Sequence, residues 1–379
     1  MSSEISHQIV AGSAPPATMN AIVVPEFGIW QYRNDVAVPE PKSHEIRIAV
    51  AACGICGTDV HIAKGDQSLR KLLEPPFVQG HEFCGHIDKL GSDVTGMAVG
   101  QLVSAEMHEV CGLCPACLGG KKHACAKTRY RGLNEDGSFA DYVCVSASNV
   151  VTLPAGIPIK IAAFLDPLGN AVHTACKVPC VGKKVLVAGY GAIGAMVVEI
   201  VAFLGATEIH VMDVKANALG RAQARAKLGG FGERLFIHHV ESDQRVALCE
   251  EILRKSGGGV DISMEISGHP DAINDSIRCT RAGGDVVLLG LPTGSSVTLH
   301  DFGQNIIFRG LTLHGVVGRE MMGTWDTMLD LLKRGLSTDF LVTSELALSE
   351  LGLGYERIAT GHEQKVVLYP SWDRGGRPS

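Results

Sequence analysis

Val185-Leu-Val-Ala-Gly-Tyr-Gly-Ala-Ile-Gly194 is the stretch on which the fold turns. Apolar residues run straight into Gly-x-Gly-x-x-Gly, and a second apolar run, Ile193–Leu204, follows without a break. The first run has the length of a buried strand and the second that of a helix. In such a strand–turn–helix unit Gly189 permits the tight turn. Gly191 lets the backbone approach a pyrophosphate, and Gly194 allows close packing of helix on sheet. The free N–H groups at the helix start suit phosphate oxygens. Asp213 stands nineteen residues after Gly194, at the end of the next expected strand. Its carboxylate would accept hydrogen bonds from ribose hydroxyls and repel a 2′-phosphate, which favours NAD over NADP. The competing reading is a glycine turn that holds no ligand.

Outward from this unit, strands and helices alternate. Strands are expected at Lys184–Ala188, Glu208–Met212, Leu235–His238, Asp261–Glu265 and Asp285–Leu289. Helices are expected at Ala218–Leu228, Gln244–Lys255 and Asp271–Thr280. That alternation predicts a parallel sheet covered on both faces. Before it, Ala21–Val24, Glu45–Ala51, Gly85–Lys89 and Ser138–Val145 read as short strands separated by turns, a partly barrelled β domain. After about Gly310 the chain returns to strands with one helix, Thr324–Arg334. The fold class is therefore α/β, a β-rich domain beside a doubly wound one. The expected division is a flexible tail over 1–18, a β-rich part over 19–160, a nucleotide domain over 161–309 and a completing segment over 310–379.

Two clusters carry metal chemistry. Cys111, Cys114, Cys117 and Cys125 give C-x2-C-x2-C-x7-C in a polar loop. Four thiolates make a closed tetrahedral zinc site that holds a loop in place. An iron–sulfur cluster begins with the same spacing, but the long last gap and the lack of a following Cys-Pro argue against it. The second cluster is Cys53-Gly-Ile-Cys-Gly-Thr-Asp-Val-His61 with Gly80-His-Glu82. Cys56, His81 and Glu82 offer the S, N and O donors of a catalytic zinc with an exchangeable position. On residue type alone, a packed cysteine and an ordinary buried histidine fit equally well.

Bulk properties narrow the function. The chain has 379 residues, beyond the roughly 250–300 at which a single core stops growing. With 34 basic and 40 acidic residues its net charge is −6, and no basic stripe exists to bind nucleic acid. The first eighteen residues lack the charged start and apolar core of a secretory signal. The apolar stretch Val185–Ala206 is interrupted by glycines and Glu199, so no membrane span is expected. Twelve cysteines without a signal should stay reduced, as in a cytoplasmic protein. His238 and His239 read as surface or loop residues, and His173 as packing.

These motifs, with Asp166-Pro-Leu-Gly-Asn-Ala-Val-His-Thr-Ala175 and Gly318-Arg-Glu-Met-Met-Gly-Thr-Trp325, closely resemble the zinc-containing medium-chain dehydrogenase/reductase (alcohol dehydrogenase) family. The resemblance spans nearly the whole chain after the tail and is strongest to its L-threonine 3-dehydrogenase and sorbitol dehydrogenase-like members. It implies a GroES-like catalytic domain split in sequence, with a Rossmann domain inserted and the active site in the cleft. It implies NAD, one catalytic and one structural zinc per chain, an alcohol substrate, and a homodimer or homotetramer. By the family's pattern, Cys56, His81 and Glu82 hold the catalytic zinc, and Asp166 falls where an acidic residue can bind or exchange at it. Thr58 and His61 match the proton relay, and His108 a histidine near the substrate. Ile193, Leu289, Gly290, Leu291, Val316, Val317 and Arg319 fall at cofactor contacts.

Three departures from the family's threonine branch bear on the substrate. The segment after the metal loop is Ala63-Lys-Gly-Asp-Gln-Ser68, closer to polyol dehydrogenases. Ala218 replaces a basic residue five positions past Asp213, and Arg129-Tyr-Arg131 replaces small residues beside the active site, where an arginine would select an anionic substrate. The expected activity is hydride transfer from a secondary alcohol to NAD, the alcohol being an amino alcohol such as L-threonine or a polyol. A non-catalytic zinc- and dinucleotide-binding protein is the distant alternative.

Overall fold

The structure, a computed structural model, describes residues 15–375 apart from residues 293, 295 and 362. Residues 1–14 of the expected tail lie outside the described residues, and the strand Thr18–Glu26 opens the fold.

The β-rich part is built on Glu45–Gly54, whose buried residues Ile46, Ile48, Ala52 and Cys53 fill an apolar interior. This strand pairs antiparallel with Phe83–Leu90 on one side and with Tyr142–Ser146 along its first half. Its end pairs with Lys365–Tyr369, at Gly54↔Val367 and Cys53↔Leu368. The last strand of the chain thus completes the sheet begun by the first third. Leu102–Ala105, Val150–Thr152 and Val342–Ala347 bring that sheet to seven strands.

The second sheet has six parallel strands in the order Leu235–His239, Glu208–Asp213, Lys184–Ala188, Val260–Glu265, Thr280–Leu288 and Thr312–Gly315. Counted along the chain this is 3-2-1-4-5-6, the doubly wound Rossmann order, whose ligand crevice opens outside the carboxyl ends of the strands where the order reverses. The α/β class with a GroES-like part and a Rossmann part is as expected. The boundary expected after residue 309, however, cuts this sheet before its edge strand. Thr312–Gly315 pairs in register with Asp285–Leu288, because its backbone completes the parallel ladder.

Between the sheets lies the helix Leu165–Ala175, buried on nearly every side. Its Leu165, Leu168 and Val172 share one apolar cluster with Val187 of the parallel sheet, Val367 of the antiparallel sheet and Trp325 of the helix Met322–Lys333. One core therefore runs through the junction. The apolar stretch Val185–Ala206 resolves into the strand Lys184–Ala188, the glycine turn and the helix Ala192–Phe203. No helix among the described residues is long and apolar enough to cross a membrane.

Candidate active site

Cys56 caps the helix Gly57–Ala63 in extended conformation, and its N–H donates to the carboxylate of Asp59, 2.9 Å away. The Cys56 thiol lies 3.8 Å from the Thr58 hydroxyl. His81 and Glu82 follow the short strand Phe77–Val78 and precede Phe83–Leu90, and Gly54 N–H donates to the Glu82 carbonyl. The donor atoms of Cys56, His81 and Glu82 all lie within 4.8 Å of one another.

The environment of this triad suits a cation. Glu82 is fully buried, and its Oε1 has no hydrogen-bond partner among the described residues, nor has His81 Nδ1. His81 Nδ1 instead sits 3.7 Å from Asp59, itself fully buried and held by Gln79, whose amide oxygen accepts from Tyr355. Burial opposes a charged His81, yet Asp59 and then Cys56 outweigh it and hold its pKa up, at about 10. Burial pushes the Glu82 carboxyl above the usual range, against the pull of Lys365. Lys365 ion-pairs with Glu82 and donates to Ile55 O at 2.8 Å. A buried pocket that favours positive charge and keeps soft and hard donors unspent fits a zinc ion.

Cys111, Cys114, Cys117 and Cys125 likewise converge within 4.8 Å. The backbone N–H groups of Cys111 and then Lys127 reach Cys125 Sγ at 3.5 and 3.4 Å and hold its thiol down, at about 6. Thiolate character in a four-sulfur cage fits a structural zinc.

A cavity of about 660 Å³ reaches both Cys56 and Glu82 of the metal triad and the glycine turn. Cys56, Gly57 and Glu82 line one end, beside Pro167 of the junction helix. Gly189, Gly191, Ile193, Gly194 and Asp213 line the other. Asp213 accepts from the N–H of Tyr190 at 2.7 Å and of Lys215 at 2.8 Å, so its carboxylate is fixed under the turn. Arg221, also in the wall, faces Asp213 electrostatically, so a cation is present here although Ala218 is not one.

The family descriptions alcohol dehydrogenase GroES-like domain and zinc-binding dehydrogenase match residues 42–155 and 192–334. The chain is 39% identical over 348 residues to the L-threonine 3-dehydrogenase of Rhizobium rhizogenes (strain K84), covering 91% of this chain and 96% of that one. The chain belongs to the zinc-containing medium-chain dehydrogenase/reductase family. As a family member it is an oxidoreductase of CH–OH donors. Solved structures agree. An NADP-bound protein of Sinorhizobium meliloti 1021, assigned as a zinc-binding dehydrogenase, superposes with a TM-score of 0.82 at 28% identity, over 94% of this chain and 100% of that one. The 2R,3R-butanediol dehydrogenase of Bacillus subtilis gives 0.81 at 25%, over 93% and 99%.

Other residues singled out in the sequence are placed as follows. Thr58 and His61 lie three residues apart on the helix Gly57–Ala63, one turn apart on one face. His61 Nδ1 meets Asp66 at 2.8 Å, and its ring is half-exposed. Leu289, Gly290 and Leu291 follow the carboxyl end of Thr280–Leu288, and Val316 and Val317 that of Thr312–Gly315. These five stand at the ligand-binding edge of the sheet but outside the cavity wall just described.

Four expectations change. Arg319 is not a wall residue of the cleft; it is wholly buried, because Glu106 and Asp166 compensate its charge inside the junction. Arg129 pairs with Glu74 and Glu135, and Arg131 with Glu109, so neither guanidinium is free to read an anionic substrate. His238 is buried in the sheet, where its Nε2 meets His210 Nδ1 at 2.8 Å. His173 does more than pack: its Nδ1 donates to Gly318 O at 2.9 Å.

Lys365 and Glu106 carry no sequence signal of their roles, for each acts on a residue elsewhere in the chain, and Asp59 lies within a more familiar motif. The Asp59 signal was present, as an acidic residue three past an N-cap.

Proposed function

We propose that this chain oxidises a secondary alcohol with NAD, and that the alcohol is an amino alcohol such as L-threonine. The observation that carries the reading is the single cleft with Cys56 and Glu82 at one end and the glycine turn with Asp213 at the other. Cys56, His81 and Glu82 would hold the catalytic zinc, and Cys111, Cys114, Cys117 and Cys125 the structural one. When bound, zinc acidifies the alcohol hydroxyl and the nicotinamide accepts the hydride.

The chain's own groups do the rest. Thr58 and His61 would act as a relay: the Thr58 hydroxyl takes the alcohol's proton as it gives up its own toward His61, and His61 releases one proton to solvent. The contact between His61 Nδ1 and Asp66 leaves Nε2 to exchange it. Lys365 ion-pairs with Glu82 through Oε2, and Oε1 has no hydrogen-bond partner among the described residues. Asp213 selects the unphosphorylated ribose. Ile193, Leu289, Gly290, Leu291, Val316 and Val317 would flank the bound cofactor, whereas His108 is not in the cavity wall and its Nδ1 lies 2.5 Å from Glu106.

A polyol substrate is the second reading, favoured by one observation. Arg129 and Arg131 are both spent on glutamates, which leaves neither as an anchor for a substrate carboxylate. The working division is a catalytic unit of residues 19–160 with the segment after the parallel sheet, around a nucleotide unit that ends past Gly315. A homodimer or homotetramer is supported by the outer edge of strand Thr312–Gly315, which has no neighbouring strand among the described residues and is flanked by exposed Phe302, Ile307, Phe308 and Val317. The twelve unpaired cysteines accord with a reducing, cytoplasmic setting.

The test is an NAD-linked screen of L-threonine, other amino alcohols, polyols and hydroxy acids, repeated with NADP. NADH formation is expected with L-threonine or a close analogue. Turnover confined to polyols moves the assignment to the second reading, and none with any alcohol leaves the non-catalytic one.

A further inference from the structure

Where the β-rich part, the junction helix and the segment after the parallel sheet meet, three charged side chains are buried together: Glu106, Asp166 and Arg319. The Arg319 guanidinium is held by three neighbours. Nε donates to Glu106 Oε2 at 2.7 Å and Nη2 to Glu106 Oε1 at 2.5 Å, and Nη2 ion-pairs with Asp166 Oδ1 at 2.8 Å, an oxygen that has no hydrogen-bond partner among the described residues. Nη1 donates to the Asp166 carbonyl at 2.9 Å and to Asn170 Oδ1 at 3.0 Å. Trp325 Nε1 donates to the same Glu106 carboxylate at 3.1 Å, and His108 Nδ1 lies 2.5 Å from Glu106 Oε1 and 2.8 Å from Arg319 Nη2.

The backbone is shaped around this side chain. A Cβ on Gly169 would stand 2.4 Å from Arg319 Cδ, so the helix Leu165–Ala175 carries a notch through which the arginine passes. Met321, two residues after Arg319, holds a left-handed φ of 53°, which a non-glycine residue keeps only where its surroundings enforce it.

Asp166 is the residue for which this matters. It precedes Pro167, a wall residue of the cleft, and its charge is felt by both His81 and Glu82. Yet its oxygens are not among the donors that converge there. A carboxylate beside an electrophilic cation will bind it unless a stronger partner holds it. Resting on the proposed metal centre, we propose that Arg319 is a positioning residue: it keeps Asp166 off the Cys56–His81–Glu82 metal and so leaves one coordination position for the alcohol oxygen.

The test uses cobalt-substituted enzyme, whose visible spectrum reports coordination, with azide as the probe of the open position. A spectrum at this centre that disappears in Cys56→Ser establishes the metal site itself; its absence defeats the underlying functional reading rather than the role of Arg319. Given that spectrum, azide should bind wild type, and Asp166→Asn should leave both spectrum and azide affinity within about twofold of it. Arg319→Met should release Asp166 onto the metal, change the spectrum and weaken azide at least about tenfold. Adding Asp166→Asn to Arg319→Met should restore azide binding, which no purely structural role of Arg319 would produce. Unchanged azide affinity in folded Arg319→Met overturns the proposal, as does loss without rescue in the double variant. If Arg319→Met does not fold, Asp166→Asn decides. An unchanged spectrum and affinity then uphold the proposal, and a changed coordination spectrum overturns it.

Discussion

Two glycines of one turn should fail in different ways when given a methyl group, and the contrast separates ligand contact from packing. At Gly194 a Cβ would lie 1.9 Å from the Gly189 carbonyl oxygen and 2.9 Å from its carbon. Carbon and oxygen ordinarily approach no closer than about 3.3 Å, so the turn or the helix Ala192–Phe203 must move by more than about 1 Å. Both are backbone in a close-packed core, so Gly194→Ala should cost about 1–3 kcal/mol of stability as well as cofactor affinity. At Gly191 nothing lies within 4 Å of the new methyl, and the φ of −74° is ordinary for alanine. Gly191→Ala should therefore melt like wild type. Its methyl would nonetheless stand where a pyrophosphate must approach the backbone, and a loss of about 1.4 kcal/mol or more weakens binding at least about tenfold. NADH fluorescence titration gives the affinities and thermal melting the stabilities. Wild-type NADH affinity in Gly191→Ala would refute the placement of the pyrophosphate on this turn. A Gly191→Ala protein as destabilised as Gly194→Ala would refute the packing argument.

Three further outcomes follow from the geometry. Cys114→Ser should reduce zinc by one ion per chain, measured by plasma mass spectrometry, and lower the melting temperature while NADH binding persists. Lys365→Met leaves the buried Glu82 without its cation and should cost about 3–5 kcal/mol in chelator-treated protein and less with zinc present, as read from denaturant midpoints under both conditions. His238, pushed down by burial and then by His210 from 6.5 to about 4, binds its proton more weakly in the folded chain than in the unfolded one. Its contribution is whole above pH 6.5 and is lost as pH falls toward 4, amounting to about 2 kcal/mol between pH 7.5 and 5. His238→Gln should flatten that decline; an unchanged acid profile would remove the His210–His238 pair from the acid response.

Much of this architecture was legible in the sequence because it is encoded locally. The parallel strands are short apolar runs between helices, and the four-cysteine lobe and glycine turn are contiguous motifs, so spacing alone carried them. Cys56, His81 and Glu82 were legible as donor types, while their convergence needed the pairing of Glu45–Gly54 with Phe83–Leu90. What the sequence concealed are pairs made across the chain. Arg319 and Glu106 are 213 residues apart and Lys365 and Ile55 are 310 apart, separations at which no periodicity survives. His238 was misread for a related reason: a histidine looks like a surface residue until a second histidine on the neighbouring strand supplies its hydrogen bond. The edge strand Thr312–Gly315 was assigned to the completing segment because nothing in four residues distinguishes a parallel from an antiparallel neighbour.

The central claim is that one metal ion, held by Cys56, His81 and Glu82, faces the dinucleotide and is needed for alcohol oxidation. Zinc content and alcohol-driven NADH formation, measured on the same preparations of wild type and Cys56→Ser, test it most directly. Cys56→Ser should have one zinc fewer per chain, unaltered NADH affinity and no turnover. Full zinc content in the variant, or turnover that persists without the thiolate, would contradict it.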